Sequence, residues 1–340
     1  MTRDFPNAPI IDVAPLFAGA GSALDATVRA IGEAVASSGV FVARGGPEAG
    51  LTDSRGAAML QFFALSEAEK AAVATRRNRP AARNTYRGYV STFEENRWAY
   101  NEMYDIGPER PVTAPLSSLA LPGAEIFAEP NAWPAREPAP GWRQAMLAYF
   151  AQMESLGTAL LYALTDYLGL PRDEVAARFD QGNSTLRLLN YPPRPEALTV
   201  GEPLPDELRG DDGRPQLVTG RHTDACALSL LWQREPGLQG QAPDGTWYTV
   251  PPEPNSVSVH LGDVVEQLTG GRLPATPHRV TDSGAPRGSI GFFLEPKLEA
   301  SCAPFFGESE ARAGGDSYAA LLLRRFSRYA GYEHLVESPD

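Results

Sequence analysis

Six short apolar runs, the first of which begins at Leu186, constrain the fold of this chain more than any other feature. Each is bounded by proline, glycine or aspartate. Short strands at such close spacing indicate an antiparallel sandwich or barrel rather than a parallel sheet with crossover helices. The runs are LRLLNY (186–191), ALSLLWQ (227–233), WYTV (247–250), SVSVHLG (256–262), HRVT (278–281) and SIGFFLE (289–295).

The chain before Leu186 has a different periodicity. Between Met146 and Leu168, apolar residues recur every three or four positions, and Gly169 follows them. This spacing predicts a long amphipathic helix that ends at Gly169. A shorter helix is predicted around 24–35, followed by a strand over 40–44, and the C-terminal part returns to helix over 318–329.

Charge and composition exclude several classes of function. The 340 residues carry a formal charge of −12, which argues against nucleic acid as a partner. Two cysteines cannot form a disulfide framework, so a reducing, cytoplasmic location is expected. No apolar run of about 18 residues is present, so no membrane association is expected, and the first residues lack the apolar stretch of a signal peptide. Phosphate-loop, dinucleotide-loop, GxSxG and CxxC motifs are absent from the sequence.

One group of potential metal ligands remains, His222-Thr-Asp224 together with His278, and it uses two of only four histidines. On a strand, residues i and i+2 project from the same face, so His222 and Asp224 are expected side by side. Two imidazoles and one carboxylate on one face of an octahedron are typical of non-haem Fe(II) oxygenases. Zinc is disfavoured, because its sites are usually four-coordinate. The pattern alone is weak, since these histidines would also suit a purely structural role.

A second pattern strengthens the interpretation. Arg287-Gly-Ser289 follows His278 across the turn TDSGAP, which predicts a hairpin whose second arm begins with an arginine and a hydroxyl on one face. A buried guanidinium with a neighbouring hydroxyl suits the carboxylate of a small ligand. The alternative for Arg287 is a surface salt bridge.

With these motifs in order, the chain resembles the isopenicillin N synthase-like family of Fe(II)- and 2-oxoglutarate-dependent oxygenases from about residue 8 to about residue 329. The motifs that carry the resemblance are PIIDVAPL, FFALSEAEK, YRGY (86–89), NEMYDIGP, NAWP, LRLLNYPP, GRHTDACALSLL, PGLQ, HLGDVVEQLTGG, TPHRV and RGSIGFFLEP. The sequence departs from the family where His260 stands in place of a frequent asparagine, and in the GGP after VFVAR.

The resemblance implies a mixed α/β fold, with a distorted double-stranded β-helix (jelly-roll) core surrounded by helices. It implies Fe(II) on His222, Asp224 and His278, and a cosubstrate carboxylate on Arg287 and Ser289. By the same resemblance, Tyr191 contacts the cosubstrate or substrate, and Phe293, Arg87 and Tyr89 lie near the substrate. From its sequence context, Arg87 could equally be a surface arginine. The domain expectation is a single oxygenase domain over 1–340, with a mostly helical part over 1–180, the jelly-roll core over 181–298 and a C-terminal helical segment over 299–340.

The expected activity is that of a 2-oxoglutarate-dependent dioxygenase. It would hydroxylate, desaturate or cyclise a small molecule at a C–H bond using O2, with succinate and CO2 as coproducts. An amino acid, a short peptide or a secondary metabolite fits as substrate, and a monomer is expected. Two alternatives stay open: a cosubstrate-independent iron oxidase like isopenicillin N synthase, and a catalytically silent binding protein on the same fold.

Overall fold

The computed structural model describes residues 5–93, 100–109, 121–193, 217–282, 285–306 and 316–327. Its α-helices are α1 (Pro15–Ala18), α2 (Ser22–Ser37), α3 (Thr52–Met59), α4 (Glu67–Ala72), α5 (Trp142–Leu168), α6 (Arg172–Phe179), α7 (Asp263–Leu268) and α8 (Tyr318–Phe326). Its strands are β1 (Ile10–Asp12), β2 (Val40–Arg44), β3 (Tyr89–Ser91), β4 (Glu102–Ile106), β5 (Thr185–Tyr191), β6 (Leu217–His222), β7 (Leu228–Gln233), β8 (Leu238–Gln241), β9 (Trp247–Thr249), β10 (Val257–Leu261), β11 (His278–Thr281) and β12 (Arg287–Leu294).

These strands form two sheets. The main sheet has the order β1-β2-β10-β7-β12-β5-β4-β3, and the minor sheet has the order β6-β11-β8-β9. Neighbouring strands are antiparallel except β1 and β2, which are parallel. Val40 of the main sheet shares a buried cluster with Leu238 and Val280 of the minor sheet, so the sheets pack face to face. The predicted mixed α/β fold with a jelly-roll core is confirmed.

The long helix α5 covers the outer face of the main sheet. Phe150 of α5 packs edge-on against Phe292 of β12, with ring centroids 5.1 Å apart. The helix ends at Gly169, which adopts the left-handed conformation (φ 65°), as the sequence predicted. Although α5 has 27 residues, no helix in the described ranges is both long and apolar enough to cross a membrane.

Strand β12 alternates between two environments. Ile290, Phe292 and Leu294 are almost completely buried on the face that receives α5. Side chains at Arg287, Ser289 and the other odd-numbered positions project to the opposite face, toward the minor sheet. The period of two therefore separates a packing surface from the wall of an internal cavity.

The predicted hairpin between β11 and β12 is wrong. Strand β11 pairs with β6 and β8 in the minor sheet, whereas β12 pairs with β5 and β7 in the main sheet. Both edges of each strand are occupied by other partners, so the chain passes from the minor sheet to the main sheet between β11 and β12. His278 and Arg287 consequently lie in facing sheets.

The main sheet extends across the boundary that was expected at residue 180 between the mostly helical part and the jelly-roll core. Four strands of the main sheet, β1 to β4, come from the part that was expected to be mostly helical. Strands β3, β4 and β8 were not predicted, and β6 was predicted only through the strand expected at His222. The segment EPLPDELRGDDGRP (202–215), whose composition predicts a polar surface insertion, lies outside the described residues. So do parts of the proline-rich stretch over 108–140, whose composition predicts a loop, and the end of the predicted C-terminal helix.

Candidate functional site

The three potential metal ligands lie at the end of the minor sheet. His222 is the last residue of β6, and His278, the first residue of β11, is its cross-strand partner. Asp224 lies two residues beyond β6 in the connection to β7, not on the strand as predicted. The side-by-side placement of His222 and Asp224 therefore comes from a turn after the strand.

The geometry suits a single ion. One ligand atom from each of His222, Asp224 and His278 lies within 4.8 Å of the other two. The Nε2 atom of His222 is 3.8 Å from Asp224 Oδ1, and that of His278 is 3.5 Å from Asp224 Oδ2. The two imidazole rings are 4.2 Å apart between centroids. A donor set of two neutral imidazoles and one carboxylate is the one that non-haem Fe(II) prefers.

Surrounding groups fix the orientation of these side chains. The Nδ1 atom of His222 lies 2.8 Å from the carbonyl oxygen of Gly220, and that of His278 lies 3.2 Å from the carbonyl of Thr276. Since a carbonyl only accepts, each Nδ1 carries the proton and each Nε2 lone pair is left for a metal. The hydroxyl of Ser229 donates to Asp224 Oδ2 at 2.6 Å and holds the carboxylate.

The electrostatics keep two of the donors, His222 and Asp224, in their metal-binding protonation states. Enclosure in the cavity and the facing ring of His278 lower the pKa of His222 to about 4. Burial acts to raise the pKa of Asp224, but the imidazoles of His278 and His222 and the Ser229 hydroxyl lower it to about 2. At neutral pH, His222 is therefore a neutral imidazole beside the ionised carboxylate of Asp224.

His260 is not part of this donor set. It is 1% exposed, and its ring lies behind that of His278, with centroids 5.0 Å apart. Its Nε2 atom is hydrogen-bonded with the hydroxyl of Ser258 at 3.0 Å. This placement gives His260 a structural role.

The triad opens into a cavity of about 340 Å³ between the two sheets. Its floor is one face of β5 and β12, where alternate side chains project inward. Burial acts to lower the pKa of Arg187, but the carboxylates of Asp105 in β4 and of Asp224 raise it. The inward residues of the two strands are Thr185, Arg187, Leu189, Tyr191, Arg287, Ser289 and Phe293, with Glu295 just beyond β12.

Three sequence-predicted residues, Tyr191, Arg287 and Ser289, form what we term the arginine end of the cavity. Arg287 is 5% exposed, and its guanidinium donates to Ser289 Oγ at 3.1 Å and to Gln233 Oε1 at 3.2 Å. Tyr191 is its cross-strand partner, with the guanidinium 5.4 Å from the ring centroid. The Nε atom of Arg287 is buried without a hydrogen-bond partner. A buried cation with an unused donor fits the carboxylate of a small ligand.

The middle of the floor holds an ion pair and an aromatic ring. Arg187 donates to both carboxylate oxygens of Asp105, at 2.8 and 2.7 Å. The guanidinium lies 5.6 Å from the centroid of Phe293, which lines the cavity as predicted. Sequence reasoning missed Arg187 and Asp105.

Beyond Phe293 lies the glutamate end, which we define by Tyr86, Thr185 and Glu295. Glu295 is 5% exposed, and Thr185 donates to its Oε2 at 3.3 Å. Burial raises the pKa of Glu295 to about 8, despite the opposing effects of Tyr318, Arg87, Thr185 and Arg187. Sequence reasoning also missed this residue, although it continues the alternation of Arg287, Ser289 and Phe293 by one step.

Arg87 does not face the cavity, so its predicted contact with substrate is not supported. It is 3% exposed, and its guanidinium donates to the carbonyl oxygens of Phe127 and Glu129 and to Asn183 Oδ1. Each contact is 3.0 Å or shorter. These contacts hold the segment before β3 against its neighbours.

Tyr89 is likewise outside the cavity wall, contrary to its prediction as a substrate residue. Its hydroxyl donates to Glu102 Oε2 at 2.7 Å. Lys70 pairs with the same oxygen at 2.7 Å, and both partners are buried. The polar groups of Tyr89 are therefore used in a structural network.

Solved structures similar in fold come from several oxygenases. The structure of a full-length Neurospora crassa protein in complex with alpha-KG and thymine has a TM-score of 0.74 at 23% identity. The match covers 97% of this chain and 99% of that one. A rice dioxygenase for auxin oxidation has a TM-score of 0.64 at 24% identity, with 94% of this chain and 95% of that one covered. At these identities the likeness establishes the fold.

Curated relatives extend the comparison. The isopenicillin N synthase of Streptomyces clavuligerus is 28% identical over 93% of both chains. The leucoanthocyanidin dioxygenase 1 of Oryza sativa subsp. indica is 31% identical over 86% of this chain and 72% of that protein. An oxoglutarate-dependent flavonoid 7-O-demethylase of Ocimum basilicum is 32% identical, but the match spans about half of each chain, 56% here and 48% there.

Family profiles agree with these relatives. Residues 182–296 match the 2OG-Fe(II) oxygenase superfamily, and residues 8–136 match the N-terminal family described as non-haem dioxygenase in morphine synthesis. The first match contains the triad, the arginine end and Glu295. Together with the 31% identity to the rice leucoanthocyanidin dioxygenase, these matches show that the chain belongs to the 2OG-Fe(II) oxygenase superfamily.

Proposed function

We propose that this protein is an Fe(II)- and 2-oxoglutarate-dependent dioxygenase that oxidises a C–H bond of a small molecule, with succinate and CO2 as coproducts. One observation carries this proposal: a triad of two imidazoles and a carboxylate shares a cavity with a buried arginine whose Nε lacks a partner. The two features match the two charged components that such a reaction requires, a divalent cation and a dicarboxylate.

The proposed metal ligands are His222, Asp224 and His278. When bound, Fe(II) supplies the activation of O2 and the oxidative decarboxylation of 2-oxoglutarate that drive oxidation of the substrate. The chain's own contribution begins with orientation. Carbonyl acceptors at both Nδ1 atoms point the Nε2 lone pairs at one site, and Ser229 holds the carboxylate between them.

Arg287 and Ser289 are the proposed partners of the cosubstrate carboxylate remote from the metal. A guanidinium offers parallel N–H donors to a carboxylate, and the Ser289 hydroxyl adds another. Tyr191 packs beside the guanidinium and limits its movement. Leu189 and Leu231 line the cavity and keep water from the reacting groups.

The proposed substrate is a small molecule held beyond the metal, near Phe293. An amino acid, a short peptide or a secondary metabolite fits this volume, and the N. crassa structure contains thymine. Both cysteines, Cys226 and Cys302, are buried free thiols, which supports a reducing cytoplasm as the compartment. We propose a monomer as the working unit.

A cosubstrate-independent iron oxidase is the second candidate. The match to isopenicillin N synthase over 93% of both chains supports it. In that case Arg287 and Ser289 would bind a carboxylate of the substrate itself.

Turnover with purified protein, Fe(II) and ascorbate separates the two candidates. Candidate substrates are screened with and without 2-oxoglutarate, while succinate and O2 are measured. The proposal expects succinate formation that a substrate stimulates and that His222→Ala abolishes. Substrate-dependent O2 uptake without 2-oxoglutarate would contradict it and favour the oxidase.

A further inference from the structure

The glutamate end contains a buried carboxyl group without an ion-pair partner. Glu295 lines the cavity and is 5% exposed, yet within the described ranges no basic side chain lies within salt-bridge distance of it. A buried carboxylate in such a position is strongly disfavoured, because desolvation is not offset by a neighbouring cation.

The two nearest arginines direct their donors elsewhere. Arg187 is occupied by a bidentate pair with Asp105. Arg87 donates to the carbonyl oxygens of Phe127 and Glu129 and to an amide oxygen. Both cations act on Glu295 only through space, and burial outweighs them in setting its pKa. The carboxyl therefore retains its proton at neutral pH and offers an O–H donor to the cavity.

The walls around this carboxyl are largely apolar. Phe293 from β12 and Leu322 and Phe326 from α8 line the same cavity, and the ring of Phe326 packs edge-on against that of Tyr86 with centroids 5.0 Å apart. Arg325, also on α8, is engaged by Asp263 and by the carbonyl of Thr223. The polar groups that define this end, Tyr86, Thr185 and the protonated Glu295, are all neutral, so a charged ligand group would be desolvated there without a counter-ion.

We propose that Glu295 is a substrate-recognition residue that donates a hydrogen bond to an uncharged acceptor, a carbonyl oxygen, on a substrate with an apolar body. This inference rests on the proposed function, because it takes the arginine end to be filled by the cosubstrate. The substrate class is thus a neutral carbonyl compound, and neither an amine nor a carboxylate is expected at the glutamate end.

Three probes of equal ring size test this assignment: cyclohexanone, cyclohexylamine and cyclohexanecarboxylate. Each is titrated by ligand-observed NMR against the full chain loaded with Zn(II) and saturating 2-oxoglutarate, which prevents turnover and blocks the arginine end. Cyclohexanone is expected to bind most tightly. Glu295→Leu should weaken it about fivefold, the effect of losing one hydrogen bond.

Two further variants control for side effects. Glu295→Gln keeps the shape and an N–H donor, so ketone binding should stay within about twofold of the wild type. Glu33→Gln, on the exposed side of α2, should change nothing. Overturning results are tighter binding of the amine or carboxylate, equal ketone affinity in the wild type and Glu295→Leu, or no binding of any probe. Binding of 2-oxoglutarate is read from its own signals in the same samples, and its absence would instead contradict the proposed function.

Discussion

The two ends of the cavity are built by the same pair of strands but present opposite electrostatic problems. At the arginine end, a buried guanidinium keeps its charge and has an unused Nε donor. At the glutamate end, a buried carboxyl lacks a counter-ion, and burial raises its pKa to about 8. One end therefore requires an anion, whereas the other has become neutral and favours an uncharged group.

This difference shows how one strand can separate two ligands. Between Arg287 and Glu295 the chain advances by roughly 25 Å at the rise of an extended strand. Alternate side chains of β12 face the cavity, so each of these residues determines the chemistry of the cavity wall at its own position along the strand. The triad lines the same cavity as both ends.

The largest expected effect concerns the protonation of Glu295. The pKa of a glutamate carboxyl is about 4.5 when exposed and about 8 here, so the folded protein holds a proton that the unfolded chain releases between these values. The free energy of unfolding that this group contributes is thus fully present below pH 4.5 and declines as the pH rises toward 8. Above pH 8 it no longer changes. Replacement by glutamine removes the titration.

We expect Glu295→Gln to gain on the order of 4 kcal/mol relative to the wild type between pH 5 and pH 8, at 1.36 kcal/mol per pKa unit. Chemical denaturation at several pH values measures the difference. The charged and titratable groups that act on this carboxyl, Tyr86, Arg87, Arg187 and Tyr318, are tyrosines and arginines that keep their protons between pH 5 and pH 8, so the pH dependence of the difference reports Glu295. A difference that does not change with pH would mean that Glu295 is ionised when folded and that the two ends are both charged.

The next effect tests whether the triad in the wall shared by the two ends holds the metal. His222→Ala removes a ligand and should lower Fe(II) affinity at least 100-fold, exceeding the effects typical of outer groups around a metal. His260→Asn is the matched control, since that ring lies behind His278 and supplies no donor. Anaerobic equilibrium dialysis gives both affinities. Equal losses in the two variants would refute the assignment of the triad.

The smallest effect concerns the orientation of Asp224. Ser229→Ala removes the 2.6 Å hydrogen bond to Oδ2 and should weaken Fe(II) binding about tenfold. Ser258→Ala is the control, because that hydroxyl contacts His260 instead. Dialysis under the same conditions measures both. If Ser229→Ala bound iron as tightly as the wild type, the carboxylate would be held by its turn alone.

Local patterns in the sequence predicted much of this architecture. The helix ending at Gly169 and the strand over 40–44 match the structure, and His222, Asp224 and His278 converge as expected. Each of these predictions relies on short-range signals, namely apolar periodicity, a glycine stop or the spacing of ligands.

The remaining features depend on contacts between distant segments. The TDSGAP turn has the composition of a hairpin, but β11 and β12 find their hydrogen-bonding partners in different sheets. The YRGY segment left Arg87 as either a substrate contact or a surface arginine, and only the folded chain shows that it is buried and bonded to carbonyl oxygens. Glu295 carried a usable signal, since it extends the period of two that begins at Arg287, but its burial without a counter-ion is a property of the tertiary structure.

The affinity for 2-oxoglutarate tests the contrast between the two ends most directly. Isothermal titration calorimetry on the Zn(II)-loaded full chain would compare the wild type, Arg287→Ala and Glu295→Leu. We predict that Arg287→Ala raises the dissociation constant on the order of 100-fold, because charge-assisted hydrogen bonds are lost, while Glu295→Leu changes it less than about twofold. Equal weakening by both variants, or unchanged affinity in Arg287→Ala, would contradict the account.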